Sequence, residues 1–158
     1  MSFGGHAHAQ VEHVEGGRDP YDWVPESSRR ARGFVVLAAL RALGHTGLVD
    51  LIERCCAHAR HMAERLAAAP DVEILNDVVL NQVLVRFNVP SGELEAGNAF
   101  TRAVIGRVQQ DGTCWLGGRT WHGTGAMRVS VTSWNTTPND IDRSAEAILR
   151  CRDEAARA

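Results

Sequence analysis

The chain has 158 residues and a mass of 17.2 kDa, so it is one domain or one domain with a tail, and its 44% apolar and 23% charged residues are typical of a globular protein. Its net charge of −2 argues against a nucleic-acid partner, which needs a basic excess, and no uninterrupted apolar run approaches the roughly 18 residues that span a membrane. All 17 basic side chains are arginines, which excludes chemistry that needs a side-chain amine, above all a Schiff base.

The N-terminal segment, residues 1–27, is predicted to be an extended arm because it is rich in Gly, Pro and charge and has no hydrophobic period. His6, His8 and His13 have a spacing that suits a soft metal, but nothing fixes their geometry, so we predict no metal site. The segment lacks the basic and apolar regions of a secretory signal. We therefore expect a cytoplasmic protein with reduced thiols at Cys55, Cys56, Cys114 and Cys151.

A helical period begins at Ser28, and we assign residues 28–158 to one folded domain. The first helix is predicted to end at Gly44, and Thr46 is placed to cap a second helix that ends before Pro70. The second helix carries the clearest apolar stripe of the chain: Leu48, Leu51, Ile52, Cys55, Ala59, Met62, Ala63 and Leu66.

The second half of the chain alternates between short strands and helices. A third helix capped by Asn98 and a fourth with a Thr137 cap and Pro138 at its first position are predicted between strands at 72–75, 82–87, 113–116 and 126–132. Hairpin-like strand pairs predict a small, mainly antiparallel sheet of about four strands with helices on one face, an α+β fold. The apolar residues at alternate positions on either side of Arg128 are expected to face the helices, so Arg128 is expected on the opposite face of the sheet.

Few residues carry a chemical signal. His58 and His61 have helical spacing that one metal could bridge, but solvated helical histidines are common. His122 follows Trp121 in a glycine-rich loop, where it is either a site contact or a solvated loop histidine. No phosphate loop and no nucleophile–base pair is recognisable. From the residues alone, the chain is an α+β domain without a complete catalytic set.

Several separated blocks nevertheless agree in order and spacing with one family. They lie at residues 18–33, which includes Trp23-Val24-Pro25, and at 39–44, 80–87, 111–118 and 127–131. Together they resemble the C-terminal part of the pyridoxal-phosphate (PLP)-dependent group II decarboxylases, the family of aromatic-amino-acid and glutamate decarboxylases. The resemblance extends over roughly residues 1–152.

The resemblance implies the small C-terminal α+β domain of a fold-type-I enzyme whose large domain holds PLP on a lysine. It places residues 1–5 after the cofactor-binding strand and Arg128 where glutamate-type members hold the substrate carboxylate. Trp121 and His122 are site-lining candidates from their position in the glycine-rich loop. The alternative for Arg128 is a solvated or interdomain ion pair. The interdomain or dimer segment would include Ser28, Arg29 and Arg30.

Two functions remain open. The first is a portion of an amino-acid decarboxylase, a carboxy-lyase of carboxylic acid metabolism, that is inactive alone and binds no PLP because the lysine-bearing domain is absent. Its partners would be the large cofactor domain or a second subunit of a homodimer, and an amino-acid substrate. The second is a stand-alone interaction module that pairs with another subunit. Neither function requires nucleic acid or a membrane.

Overall fold

The computed structural model describes residues 31–157, in which three helices and four strands alternate. The elements are α1 (Arg32–Ala67), β1 (Val72–Ile74), β2 (Gln82–Phe87), α2 (Leu94–Asp111), β3 (Gly117–Trp121), β4 (Thr124–Ser130) and α3 (Pro138–Ala156). The chain divides into two compact units between Arg41 and Ala42, and the second unit contains the whole sheet. The arm predicted at 1–27 lies outside the described residues and stays a prediction.

Helix α1 replaces the two helices predicted on either side of Gly44. Gly44 has φ 64° and ψ −172°, so the helical conformation is interrupted there although the helix resumes at once. The predicted break is therefore present as a kink instead of a loop. The buried residues of α1 all follow the kink: Cys55, Cys56, Ala59, Met62, Ala63 and Leu66. The predicted stripe is thus confirmed from Cys55 onward, whereas Ile52 is exposed and Cys56 is buried outside it.

The N-terminal part of α1 is apolar and exposed. Phe34 is 77% exposed, and Leu37 and Leu40 are 50% and 44% exposed. By length and composition α1 is apolar enough to cross a membrane, although Arg41 interrupts its apolar stretch, so that no uninterrupted run reaches about 18 residues. Core helices of soluble proteins pass the same test.

The four strands form one antiparallel sheet in the order β1-β2-β4-β3, which confirms the predicted α+β class. The edge strand β3 is Gly117–Trp121, so the strand predicted at residues 113–116 is wrong. The β3–β4 connection explains why the strand begins four residues later than predicted, because His122 and Gly123 form a two-residue turn with φ of 47° and 79°. Positive φ at both central residues is the signature of a type I′ hairpin, and this turn fixes the register of the strands that flank it.

The core lies between the sheet and the helices. Around Arg128 the residues of β4 alternate as predicted, whereas all of residues 83–87 in β2 are buried. The core residues of these two central strands pack with α1, α2 and α3: Val83, Val85, Phe87, Met127 and Val129. Helix α2 begins at Leu94, with Glu93 as the N-cap residue, so Asn98 does not cap it as predicted. Asn98 lies in the second turn and is buried. Helix α3 has the predicted Thr137 cap and Pro138 at its start.

Candidate functional site

Arg128 lies on the sheet face that points away from the core. In the antiparallel register it stands opposite Leu84 of β2 and Gly117 of β3, while its chain neighbours Met127 and Val129 are buried. The side chain of Arg128 is half-buried, and within residues 31–157 its guanidinium makes no hydrogen bond or ion pair. A half-buried guanidinium whose donors are not bonded by the described residues suits a carboxylate ligand, which it can bind in a bidentate manner.

Trp121 and His122 lie at the tip of the β3–β4 hairpin. Their rings are 4.7 Å apart between centroids and nearly perpendicular, and Trp121 is 42% exposed. Trp121 shares a sheet face with Arg128 because both belong to the same alternating set of the hairpin register. Arg128 is four residues further along β4 than Thr124, the partner of Trp121, which corresponds to about 13 Å along the strand. The hairpin thus brings Trp121 and His122 into contact with each other at its tip and leaves Arg128 apart from them.

Arg86 is a functional candidate that the sequence reasoning missed. It is only 8% exposed, and within residues 31–157 its hydrogen-bond acceptors are all neutral: Nη1 donates to Asn98 Oδ1 (3.1 Å), Nη2 to the Leu94 carbonyl (3.2 Å) and Nε to Asn88 Oδ1 (3.2 Å). A buried cation without a carboxylate partner is unusual, since the charge must be stabilised by dipoles alone. The sequence signal was an arginine inside an otherwise apolar strand.

Asn98 joins Arg86 to the sheet. Its Oδ1 accepts hydrogen bonds from Arg86 and from the backbone N–H of Gly125 (2.8 Å), and its Nδ2 donates to Glu95 (3.3 Å). Gly97 leaves room for the guanidinium, because a Cβ there would come within 2.5 Å of Arg86 Nη2. These contacts fix the start of α2 against β2 and β4.

The other residues singled out in the sequence do not meet at one site. His58 donates to the Thr136 carbonyl (3.1 Å) and His61 to Asp142 (2.9 Å), so each histidine already has a partner on or before α3. Within residues 31–157 no group of three metal-ligating side chains occurs. His6, His8 and His13 lie outside the described residues, as do Ser28, Arg29 and Arg30, whose assignment as an interdomain segment stays a prediction.

A cavity of about 300 Å³ lies between the end of β4 and the start of α3 and contains Cys114. Burial raises the pKa of the Cys114 thiol, which keeps it protonated and poorly nucleophilic. The nearby Ser144 hydroxyl donates to the Asp140 carbonyl (2.7 Å) and has no base to activate it among the described residues. This cavity therefore does not supply a nucleophile.

The donor set does not fit PLP. The cofactor is held and used through an imine to a lysine amine, and the 158 residues include no lysine. Arginine cannot replace lysine in this role because the guanidinium stays protonated. No catalytic step on PLP can be assigned to the side chains of this chain.

Together these features define an α+β domain with an arginine on the sheet face that points away from the core. No family model and no curated protein matches the chain. Among solved structures it is similar to Oryza sativa TDC with PLP and tryptamine (TM-score 0.74, 18% identity, 86% of this chain and 29% of that one). Catharanthus roseus tryptophan decarboxylase in complex with L-tryptophan has a TM-score of 0.70 and 19% identity over 80% of this chain and 26% of that one.

Mouse CSAD in apo form gives the same TM-score of 0.70 at 19% identity, with 86% of this chain and 32% of that chain covered. The resemblance to the PLP-dependent group II decarboxylases is thus confirmed at the level of the fold. The chain spans less than a third of the length of each of these three structures. The chain is folded like one part of such an enzyme, and its own 158 residues include no lysine.

Proposed function

We propose that this chain is the C-terminal portion of a PLP-dependent amino-acid decarboxylase, a carboxy-lyase, and that it is inactive alone. The observation that carries the proposal is the coverage: 86% of the chain superposes on enzymes of which it accounts for only 29–32%. The order of the sequence blocks supports a C-terminal position, and the missing lysine supports inactivity of the isolated chain.

Mixing the purified chain with PLP tests the inactivity. We expect no imine absorbance band, no adduct after borohydride reduction and no carbon dioxide release from amino acids. A reducible adduct or measurable decarboxylation by the chain alone would overturn this part of the proposal. The genomic sequence on the 5′ side of the Met1 codon tests the other part, since we expect a reading frame that encodes a lysine-bearing PLP domain.

We assign Arg128 to the substrate carboxylate. The support is its half-buried position on the open sheet face and its unoccupied donors within the described residues. In a decarboxylase reassembled from this chain and the cofactor domain, Arg128→Ala should raise KM for the amino acid more than about tenfold, and Arg128→Lys should restore binding only in part because an ammonium cannot form the bidentate pair. Arg60→Ala, on the exposed face of α1, is the matched control.

The proposed partners are the large cofactor domain and a second subunit of a homodimer. Residues 28–30 would belong to the interdomain segment, and the assembled protein would be cytoplasmic. The exposed apolar start of α1 favours such a partner, because a helix that is apolar all round is normally covered. The same observation supports the second candidate, a stand-alone interaction module. A defined homodimer of the isolated chain in light scattering favours the module, whereas an aggregating monomer favours the enzyme portion.

A further inference from the structure

The outer edge of β3 is an exposed row of backbone donors and acceptors. Strand β3 is the last strand of the sheet, and no strand within the described residues pairs with its outer side. The two-residue hairpin closes at the Trp121–Thr124 pair, and in an antiparallel ladder alternate residues bond to the partner strand. The N–H and C=O groups of Gly118 and Thr120 therefore point outward. Both residues are exposed.

A groove runs beside this edge. It has a volume of about 360 Å³ and lies between α2 and β3, with Ile105 and Gly118 on opposite walls. A Cβ built on Gly118 would lie 3.5 Å from Ile105 Cδ1, so the floor is closed where the two elements meet. A strand edge beside a helix is the arrangement in which an extended peptide adds one more strand to a sheet.

The groove is positively charged. Arg102 of α2 and Arg119 of β3 line it, and both are exposed. The only carboxylate that contacts either guanidinium within residues 31–157 is Glu95, 2.9 Å from Arg102 Nη2. Behind the groove, the buried Arg86 adds a third positive charge, whose hydrogen-bond partners among the described residues are all neutral. The charge at this edge therefore favours an anionic ligand.

We propose that the β3 edge binds an extended acidic peptide of a partner protein as a fifth, added strand. The backbone groups of Gly118 and Thr120 would hold the main chain of the peptide. Arg119, on the outer face, and Arg102, on the helix side, would each bind a carboxylate from two neighbouring residues of the peptide, because successive side chains of a strand point to opposite faces. This activity is separate from the proposed decarboxylase role and involves neither Arg128 nor PLP.

A second copy of this chain suits the edge less well. Two β3 strands paired antiparallel about their centres would place Arg119 directly opposite its own copy, and like charges in that position destabilise a strand pair. Two adjacent glycines at the start of β3 also provide no side chains to pack across such a pair. The charge thus selects an acidic partner over self-association.

A fluorescent heptapeptide with two adjacent central glutamates between valines, titrated with the full chain, tests the proposal by anisotropy. The same peptide with lysine in place of glutamate controls for charge, and N-methylation of alternate amides controls for backbone pairing. We expect binding by the glutamate peptide only, and loss of binding on N-methylation of the amides that face β3. Protection of the Gly118 and Thr120 amides from hydrogen exchange should accompany binding.

Thr120→Pro removes an outward N–H without removing a bond to β4, since prolines are tolerated at strand edges. We expect it to weaken binding about tenfold or more, and Thr120→Val, which keeps the donor, to change it little. Arg102→Glu with Arg119→Glu should abolish binding, whereas the matched reversal Arg60→Glu should not. Circular dichroism and urea midpoints verify that each variant is folded.

Equal binding of the lysine peptide, or undiminished binding by folded Thr120→Pro, would overturn the proposal. A concentration-dependent dimer that Thr120→Pro abolishes would also overturn it, because the edge would then be filled by a second copy. The two peptide-binding results leave the proposed decarboxylase portion untouched, since neither depends on Arg128, whereas the dimer would favour the stand-alone module.

Discussion

At the scale of single residues, Gly97 and Gly106 offer a matched pair within α2. A Cβ at Gly106 meets nothing within 4 Å, whereas a Cβ at Gly97 would approach Arg86 Nη2 to 2.5 Å. A guanidinium at a surface would swing away, but this one is held by hydrogen bonds and is buried. Gly97→Ala must therefore break the bond from Nη2 to the Leu94 carbonyl.

We predict that Gly97→Ala destabilises the domain by about 1–2 kcal/mol, because overpacking and a lost charged hydrogen bond outweigh the gain in helix propensity. Gly106→Ala should stabilise it by about 0.4–1 kcal/mol. Urea unfolding of both variants measures the difference. In an Arg86→Met background the penalty at Gly97 should disappear. Equal stabilities of the two alanine variants would contradict the role assigned to the buried arginine.

At the scale of elements, α3 begins with a reciprocal pair of hydrogen bonds. The Asp140 N–H donates to Thr137 Oγ1 (3.3 Å) and the Thr137 N–H donates to Asp140 Oδ2 (3.0 Å). We predict that Thr137→Ala lowers the free energy of unfolding by about 1 kcal/mol, as for other N-cap residues. Thr136→Ala, one residue earlier, is the control and should have little effect. A similar loss at both positions in urea unfolding would contradict the cap.

The same cap makes a pH-dependent contribution to the free energy of unfolding. Hydrogen bonds from Thr137 hold the pKa of Asp140 below its usual range. The stabilisation is therefore complete above the usual aspartate pKa and is lost as the pH falls through the lowered folded-state value. We predict that Asp140→Asn is less stable than the parent chain at pH 7 and that the gap narrows toward pH 3. Urea midpoints at both pH values measure it, and a constant gap would contradict the assignment.

These elements also separate what the sequence could predict from what it could not. The cap of α3 and the alternation around Arg128 depend on neighbours within four residues, so local pattern was sufficient. The place of β3 depends on the register imposed by the His122–Gly123 turn, and the strand-forming residues just before it were misleading. Arg86 was missed because its partners, Asn98 and Leu94, belong to another element and no spacing rule connects them.

At the scale of the whole molecule, the most conspicuous feature is the exposed apolar start of α1. Phe34, Leu37 and Leu40 are 77%, 50% and 44% exposed, so their side chains contribute little burial within this chain. Exposed apolar residues in a contiguous stretch mark an interface or an aggregation liability. Since the described core is built from residues after Gly44, the interface and the core should respond independently to substitution.

We therefore predict that Phe34→Gln, Leu37→Gln and Leu40→Gln, combined in one variant, reduce self-association without moving the urea midpoint. Glutamine is a good helix former, so the helix is retained while its apolar surface is removed. Light scattering over a concentration series measures the first effect. Glu53→Gln, Arg60→Gln and Glu64→Gln, on exposed positions of the same helix, form the matched control and should leave association unchanged. A large fall in the urea midpoint of the triple glutamine variant would instead mean that the start of α1 stabilises the fold of this chain. That result would contradict its assignment as a docking surface.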